Sequence, residues 1–409
     1  MLCRQKACDS NAVQTIVMKN ISLILLFFLT FGMTANAIPS VSPLSKKGST
    51  VSSDSKQNKK DPRIVELTLK GGIKYVGEVR VRRPHGKGKA VYRNGDVYEG
   101  EFLKGKRSGK GEIRYANGNK YAGNFEKDSL HGKGAYYYAD GAVFTGTWEY
   151  GARNNSGRMD YSNGDYYIGE WANEMREGNG DYIFIEGASY SGEWKENEYS
   201  GEGLFIWSDG SRYNGTWLAG KRQGYGEYIS ADSSVYKGEW ANNLCEGKGL
   251  YMSPDGSSYE GMFKCGLWHG EGCYIASDST IYEGSFVDGM RHGTGTMHFI
   301  NGDVYVGSWK NNKRCGKGTY TWDNGDVYEG DWENDFMHGA GVVRLKSGIE
   351  YKGGYLDGNE SGAGVAIDKD GLRYEGTFVD GLRDGTFVVK DAGGKVIGKH
   401  TYNSGILKK

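Results

Sequence analysis

The sequence predicts an all-β protein: an elongated, single-layer antiparallel β-meander of tandem 23-residue hairpin repeats, twisted and rod-like. Three observations predict this fold. Fourteen units share a period of 23 residues, each unit has a glycine two residues after its opening aromatic, and each carries two turn signals. A fixed period of this length is typical of repeat arrays, in which each unit covers apolar surface that its neighbour leaves open. We therefore expect function on an extended surface.

The units follow one another without insertion or deletion. Their opening aromatics are Tyr75, Tyr98, Tyr121, Phe144, Tyr167, Tyr190, Tyr213, Tyr236, Tyr259, Tyr282, Tyr305, Tyr328, Tyr351 and Tyr374. The glycines that follow them are expected to be structural and include Gly100, Gly123, Gly146, Gly169, Gly192, Gly215 and Gly238. A second glycine pair, such as Gly109 and Gly111, begins nine residues later, and only Asn155 and Phe387 interrupt it.

Two turns divide each unit into two short strands. The first turn column contains mostly Gly, Asn and Asp, as at Gly105 and Asp128, which tolerate positive φ. The second turn contains pairs such as Asn94-Gly95 and Asn117-Gly118. Because such pairs favour a type I′ turn with two left-handed residues, we predict tight hairpins at these positions.

Strand alternation sorts the side chains onto two faces. Tyr98, Gly100 and Phe102 share one face, whereas Glu99 and Glu101 lie on the other. Because glycine weakens a strand, we expect the aromatic rings to lie across the bare backbone of neighbouring strands. One face is therefore predicted to be aromatic and the other polar.

These units resemble the MORN repeat (membrane occupation and recognition nexus). The residues that carry the resemblance are Tyr98-Glu99-Gly100-Glu101-Phe102 with Gly109-Lys110-Gly111, repeated over about residues 64 to 402. The resemblance implies an elongated β-meander with a groove lined by aromatic side chains. Family members include radial-spoke and junctional-membrane proteins, plant phosphoinositide kinases and a histone methyltransferase. In the enzymes, the chemistry resides in a separate domain.

The first 62 residues differ from the repeats. Lys19, the apolar run Ile21 to Phe31 and Ala35-Asn36-Ala37 are typical of a signal peptide, so we expect cleavage before Ile38 and an exported protein, whether periplasmic, cell-surface or secreted. The length ahead of Met18 favours a translation start there. We assign residues 1–37 to the signal peptide, 38–62 to a disordered tether rich in Ser and Lys, 63–402 to the array with degenerate capping strands, and 403–409 to a tail.

Charge and cysteine content limit the partners. The chain has 51 basic and 51 acidic residues, which disfavours a general nucleic-acid binder. Cys245, Cys265, Cys273 and Cys315 would remain after processing, and a Cys245–Cys265 disulfide is one expectation for an exported chain, against the alternative of unpaired thiols.

The aromatic columns are the first candidate binding site. The candidate residues are Trp148, Trp171, Trp194, Trp217 and Trp240, together with Tyr167, Tyr190 and Tyr213. Such a row could bind an extended peptide or a sugar, but the same rings are also expected to pack over glycines and hold the sheet together.

An arginine column along one turn edge is the second candidate. Its members are Arg107, Arg153, Arg176, Arg222, Arg291, Arg314 and Arg383. The adjacent column is apolar at Met175, Leu244, Leu267, Met290, Phe336 and Leu382. An edge that is both basic and apolar suits a protein interface or anionic phospholipid headgroups, although pairing with glutamates of the same protein is an alternative.

No enzyme signature accompanies these surfaces. His269, His292, Cys315 and His338 occupy one column, but equivalent positions in adjacent hairpins are about 9.6 Å apart, which is too far to share a metal ion. Neither a catalytic constellation nor a cofactor motif is evident. The sequence therefore favours an exported, non-catalytic scaffold that binds a protein or peptide and could self-associate; the alternatives are phospholipid binding and, more weakly, glycan binding.

Overall fold

The computed structural model describes residues 63–408, which contain strands and turns but no helix. The predicted signal peptide and tether lie outside the described residues. Within residues 63–408 no helix is long and apolar enough to cross a membrane.

The first half of the array contains seventeen strands, β1 to β17. In chain order they are Ile64–Leu69, Ile73–Arg80, Arg83–Val91, Val97–Leu103, Lys106–Arg114, Lys120–Glu126, Ser129–Tyr137, Val143–Glu149, Ala152–Asp160, Tyr166–Ala172, Met175–Ile183, Ser189–Lys195, Glu198–Ile206, Arg212–Leu218, Lys221–Ile229, Val235–Ala241 and Leu244–Met252.

The second half contains β18 to β31. These strands are Ser258–Lys264, Leu267–Ile275, Ile281–Val287, Met290–His298, Val304–Lys310, Lys313–Thr321, Val327–Glu333, Phe336–Arg344, Glu350–Leu356, Asn359–Ile367, Arg373–Val379, Leu382–Lys390, Val396–Asn403 and Ile406–Leu407. The last of these lies within the segment 403–409 that the sequence analysis assigns to a tail.

All 31 strands form one antiparallel sheet in chain order, and the sheet does not close on itself. Each strand from β2 to β30 pairs with the strand before it and the strand after it, as β5 pairs with β4 and β6. The register brings the glycines opposite one another, so that Gly100 faces Gly111 and Gly111 faces Gly123. The predicted single-layer β-meander is confirmed.

The turns differ in one respect from the prediction. At Lys104-Gly105 both residues have positive φ, 52° and 89°, which is the type I′ pattern. At Asn94-Gly95 only Gly95 is left-handed, with φ 95°, and the amides of Gly95 and Tyr92 bond the carbonyls of Tyr92 and Asp96. The type I′ assignment of the Asn-Gly turns was therefore wrong. They are three-residue loops, in which Asn94 instead bonds the backbone N–H of Asp96.

The two faces of the sheet are as predicted. The opening aromatics from Tyr75 to Tyr351 and the second large residues from Phe102 to Phe378 are buried on one face, which we call the ring face, whereas Val79 and Tyr374 are half-buried there. Glu99, Glu170 and Glu193 lie exposed on the opposite face. Two glycine columns are required for different reasons: Gly109 has φ +71°, whereas a Cβ on Gly203 would lie only 2.6 Å from Cζ of Tyr190. The core is thus a row of rings on bare backbone.

Candidate binding surface

The opening tyrosines form the innermost layer of the ring face. Tyr190 is fully buried, and its hydroxyl donates to the carbonyl oxygen of Glu193 at 2.8 Å. Burial raises the pKa of Tyr213 to about 12, and the Arg222 guanidinium opposes that shift. Tyr167 and Tyr213 are fully buried in the same way and donate to Glu170 and Thr216. These three side chains, predicted as binding residues, lie where a ligand on the surface does not reach them.

The tryptophans alternate with these tyrosines along the sheet. Trp217 meets Tyr213 of its own unit edge-on at 5.1 Å between ring centroids, and Tyr213 meets Trp240 of the next unit at 5.3 Å. The indole N–H of Trp217 donates to the carbonyl of Gly203 at 3.0 Å. All five candidate tryptophans are buried: Trp148, Trp171, Trp194, Trp217 and Trp240. Their ring faces and, except in Trp148, their N–H groups are engaged inside the sheet.

The arginine column is bound to the turn of the following unit. The backbone N–H of Arg176 donates to Oδ1 of Asn197 at 2.9 Å, and its Nη2 donates to the Asn197 carbonyl at 3.0 Å. The Asn197 N–H donates back to the Arg176 carbonyl. The guanidinium carbon also lies 4.3 Å from the centroid of the Trp194 ring. We call this arrangement the arginine clasp.

The clasp recurs at six arginines of the column, each of which has Asp, Glu or Asn 21 positions later in the next turn. Its pairs are Arg107–Asp128, Arg153–Glu174, Arg176–Asn197, Arg222–Asn243, Arg291–Asn312 and Arg314–Asp335. Where the turn residue is glycine, as at Gly105, Gly151, Gly220 and Gly266, the residue 21 positions earlier is Pro84, Leu130, Tyr199 or Cys245. The two columns therefore vary together within one chain, and this signal could have been found from the sequence.

The clasp changes how the arginine edge can act. The guanidinium groups of the clasp stack on rings and bond to carbonyl oxygens. As a result the side chains of Arg153 and Arg314 are only 15% and 20% exposed. Arg153 and Arg314 also form ion pairs with Glu174 and Asp335. The five arginines predicted to bind a partner, Arg153, Arg176, Arg222, Arg291 and Arg314, are thus tied to their own sheet. Leu244, Leu267, Met290, Phe336 and Leu382 beside them remain exposed.

A second layer of aromatics, which the sequence analysis missed, lies above the inner rings. It is formed by positions 16 and 18 of the units, counted from the opening aromatic, and its side chains are half-buried. Successive ring centroids lie 4.5 to 6.0 Å apart from Tyr161 to Tyr228. We call the following residues the outer aromatic row: Tyr115, Tyr136, Tyr138, Tyr161, Tyr182, Phe184, Phe205, Trp207 and Tyr228.

A cavity of about 390 Å³ interrupts the outer aromatic row between Tyr138 and Tyr161. Its lining includes Met159 and Trp171. Position 16 holds tyrosine in most central units but methionine here, so the ring that would bridge Tyr138 and Tyr161 is missing. Arg153, Glu174 and Asn197 also line this cavity, so that it combines an apolar floor with polar walls.

Carboxylates and amides hold the outer row in place from its far side. Asp165 accepts the Tyr182 hydroxyl at 2.8 Å and the backbone N–H of Ile185 at 2.9 Å. The Ile185 N–H is the main cause of a lowered pKa for Asp165, and Asn163 and the Tyr182 hydroxyl add to it. In another unit the side-chain NH2 of Asn119 donates to the Tyr136 hydroxyl, and its Oδ1 accepts the backbone N–H of Ala139. These bonds fix the orientation of the tyrosines, so the row is preorganised.

Two cysteines and one column of histidines were singled out in the sequence. Cys245 and Cys265 are free thiols, so the expected disulfide between them was wrong. Cys245 is packed opposite Trp240, and burial raises its pKa to about 11, whereas Cys265 is exposed in a turn. His338 lies beside Glu333 and Asp357. Among residues 63–408 no three His, Cys, Asp or Glu side chains are placed to hold a metal ion.

Comparison with protein families finds matches to the MORN repeat. Thirteen segments match, at 83–97, 98–120, 121–143, 144–166, 167–189, 190–212, 213–235, 236–258, 259–281, 282–304, 305–327, 328–349 and 374–386. The chain belongs to the MORN repeat family. MORN repeats indicate a repeat protein with a binding role and are generally linked to protein or membrane-lipid binding. A search of the curated proteins finds no match to this MORN chain.

Several solved structures are similar to parts of the MORN array. The TCP10c domain of Drosophila melanogaster Sas-4 is 12% identical, over 38% of this chain and 93% of that domain, with a TM-score of 0.25. The wild-type TCP10 domain of Danio rerio CPAP is 13% identical over 77% and 99% of the two chains, with a TM-score of 0.15. Virginiamycin B lyase from Staphylococcus aureus is 12% identical over 75% and 96%, with a TM-score of 0.12. At these TM-scores the likenesses carry no functional argument.

Proposed function

We propose that this MORN protein is an exported, non-catalytic scaffold that binds an extended segment of another protein along its outer aromatic row. The observation that carries the proposal is the row itself. From Tyr161 to Trp207 it presents half-buried rings in continuous contact, and tyrosine and tryptophan side chains supply large contact area at low entropic cost.

The cavity beside Met159 supplies an anchoring point for such a segment. A volume of about 390 Å³ accepts one large apolar or aromatic side chain, and interfaces concentrate their binding energy in pockets of this kind. The walls contain Asp140, which can accept a hydrogen bond from the backbone of the bound segment, and Asn197, whose side-chain NH2 can donate one to it. We therefore expect a ligand with an aromatic or long aliphatic residue flanked by extended chain.

The arginine clasp bears on the alternative of phospholipid binding. A headgroup phosphate would have to compete with Asn197 for Arg176 and with Glu174 for Arg153. Removing a guanidinium from a ring and a carbonyl costs free energy that a weak surface contact does not return. The ring face is therefore better suited to a protein segment than to a headgroup.

A cavity-filling variant tests the proposal. Met159→Tyr gives the unit the residue that position 16 holds in neighbouring units, and it is expected to fill the cavity without disturbing the sheet. Met297→Tyr is the matched control, since Met297 occupies the same position in another unit. Peptides selected from a random display library on the full chain should bind Met297→Tyr as they bind the parent, and Met159→Tyr at least tenfold more weakly.

Two further measurements separate the alternatives. Sedimentation with vesicles of phosphatidylserine and phosphatidylcholine should leave the protein in solution at physiological salt. An oligosaccharide array should show no binding that is lost in Trp207→Ala. If vesicles or glycans bind and no peptide does, or if selected peptides ignore Met159→Tyr, the proposal is wrong.

A further inference from the structure

Among residues 63–408, the two ends of the sheet are incomplete halves of the same repeat. At the first end, Leu67 faces Tyr75 and Val65 faces Gly77, as Ala90 faces Tyr98 and Gly88 faces Gly100 one unit later. Strand β1 therefore occupies positions 13 to 18 of a unit whose first strand is absent from the described residues. The array begins with the second half of a second strand.

The last strands provide the complementary half. Tyr402 faces Gly385 as Phe378 faces Gly362, so β30 is the first strand of a further unit. Tyr402 also faces Leu407, the pairing that Phe378 makes with Arg383 at positions 5 and 10. Strand β31 thus occupies positions 9 and 10, and Lys408 is position 11. Lys408, the last described residue, therefore lies two positions before the one at which β1 begins.

We propose that copies of this chain associate end to end, with β1 of one copy pairing with the open edge of β30 in the next. The pairing regenerates one complete unit: β30 is its first strand, β31 the start of its second, and β1 of the other copy the remainder. In the register of every other hairpin, Gly398 would face Leu67, Lys399 would face Glu66, and His400 would face Val65 of the second copy.

The side chains at the two ends are complementary in this register. Except where Phe387 replaces it, a complete unit carries glycine at position 14 and a large ring at position 1, because the ring lies on the glycine. At the junction the assignment is reversed, with Gly398 at position 1 and Val65 at position 14. A Cβ on Gly398 would have no neighbour within 4 Å, so room exists for Val65 and Leu67. On the opposite face, Lys399 and Glu66 bring opposite charges together.

Both ends also expose apolar side chains that such an association would cover. Ile64 at one end and Val396, Ile397, Ile406 and Leu407 at the other are each at least half exposed. Unpaired strand edges with apolar residues favour pairing with another chain. Because the two surfaces differ, the contact is heterologous and each new copy leaves the same two ends open. Chains of copies are therefore expected, not closed dimers.

Disulfide trapping tests the register with the full chain. Lys399→Cys and Glu66→Cys variants are mixed under mild oxidation, and a covalent dimer should form only when both are present, since paired strands suit disulfide geometry. The matched control replaces Glu66→Cys by Val65→Cys, whose side chain lies on the other face and should not react. The parent protein reports any background from its own thiols.

Sedimentation velocity tests the charge pair without new cysteines. The parent should show species that grow with concentration, Lys399→Glu should associate about tenfold more weakly, and Lys399→Glu with Glu66→Lys should recover the parent affinity. Circular dichroism checks that each variant keeps its strand content. The proposal is wrong if the chain stays monomeric at every concentration. It is also wrong if the covalent dimer forms as efficiently with Val65→Cys as with Glu66→Cys.

Discussion

Asn197 and Arg176 are joined by three hydrogen bonds. The Asn197 side chain accepts one from the backbone N–H of Arg176, the Asn197 carbonyl accepts one from the guanidinium, and the Asn197 N–H donates one to the Arg176 carbonyl. The two residues belong to successive units and lie 21 positions apart in the sequence. The clasp therefore joins neighbouring units at their edge, in addition to the backbone ladder. Loss of the clasp should therefore lower stability at the boundary between the two units.

Removing the clasp should destabilise the array locally. We expect Arg176→Leu to cost about 2 kcal/mol, because a charged hydrogen bond and a stacked cation are lost. In Arg176→Leu with Asn197→Gly, the pair becomes the combination found at Leu130 and Gly151, so the double variant should recover part of that loss. Hydrogen exchange across β11 to β14, with chemical denaturation of each variant, measures the coupling.

The reverse exchange is a control on the same relationship. Leu130→Arg alone leaves a guanidinium without its acceptor, whereas Leu130→Arg with Gly151→Asn restores both members of the pair. The double variant should be more stable than the single one by about 1 kcal/mol. Additive effects in both exchanges would show that the two columns act independently.

A side chain on the second glycine column should destabilise the sheet. Gly203→Ala places a methyl group against the Tyr190 ring, and overpacking of this kind costs about 1–3 kcal/mol. Gly398→Ala is the matched control at a protein concentration low enough to keep the chain monomeric, because within one chain its Cβ has no neighbour within 4 Å. Thermal denaturation followed by circular dichroism should show a lower midpoint for Gly203→Ala and an unchanged one for Gly398→Ala. Equal midpoints would contradict our account of ring packing.

Asp165 should contribute to acid sensitivity. Its folded pKa lies below the unfolded value, so its stabilisation is present above about pH 4 and is lost as the pH falls through the folded pKa. Asp165→Asn removes the titration and keeps the contacts that Asn119 makes in another unit. The variant should therefore show a shallower loss of stability between pH 4 and 2, measured by urea denaturation, whereas Asp209→Asn provides a comparison in an exposed turn of the same type.

The inner tyrosines should titrate late. Burial raises the pKa of Tyr75, Tyr213 and Tyr282 to about 12, so these phenols stay protonated in the fold at a pH where the unfolded chain ionises. Stability is then full below about pH 10 and declines as the pH rises toward 12. Ultraviolet absorbance should show the exposed phenols ionising first and the inner ones only near pH 12 or on unfolding. A single smooth titration near pH 10 in the folded protein would contradict their burial.

Thiol labelling distinguishes the two cysteines that the sequence analysis paired. Cys265 is exposed in its turn, whereas Cys245 is half-buried with its pKa raised to about 11. At pH 8 a maleimide should modify Cys265 within minutes and Cys245 far more slowly, because the thiolate is the reactive form. Mass spectrometry of digested protein gives the order, with Cys265→Ser as the control. Protection of both thiols that is reversed by a reductant would indicate that they are paired.

The sequence predicted the parts of this fold that depend on periodicity. The rings, the glycines beneath them and the polar opposite face follow from alternation within a strand, and Tyr98, Gly100 and Glu99 lie as expected. The partners of the arginines were not predicted, because Arg176 and Asn197 belong to different units and different columns. Likewise the Asn-Gly turns were assigned from local propensity, which does not determine whether one or two residues become left-handed.

The sequence predicted an aromatic face, but not which of its aromatic residues are accessible to a partner. Trp171 and Trp194 were natural candidates because they are large, yet a large ring on a glycine-rich strand becomes the core. Tyr161 and Trp207 belong to a column whose residue type varies between units, so periodicity did not single them out, although they form the accessible layer. Alternation along a strand predicts which face of the sheet a side chain lies on. It does not predict whether a ring lies in the buried inner layer or in the accessible outer layer, because that depends on packing between units.

Each clasp bridges two units. The effect of deleting a 23-residue block on stability therefore depends on which clasps the deletion breaks. Excising residues 154–176 leaves Arg153 opposite Asn197, an intact partner, whereas excising residues 108–130 leaves Arg107 opposite Gly151. Recombination between repeats would thus be tolerated at some junctions and penalised at others. Deletion or duplication of whole units is therefore expected to be tolerated where each arginine keeps an acceptor side chain 21 positions later.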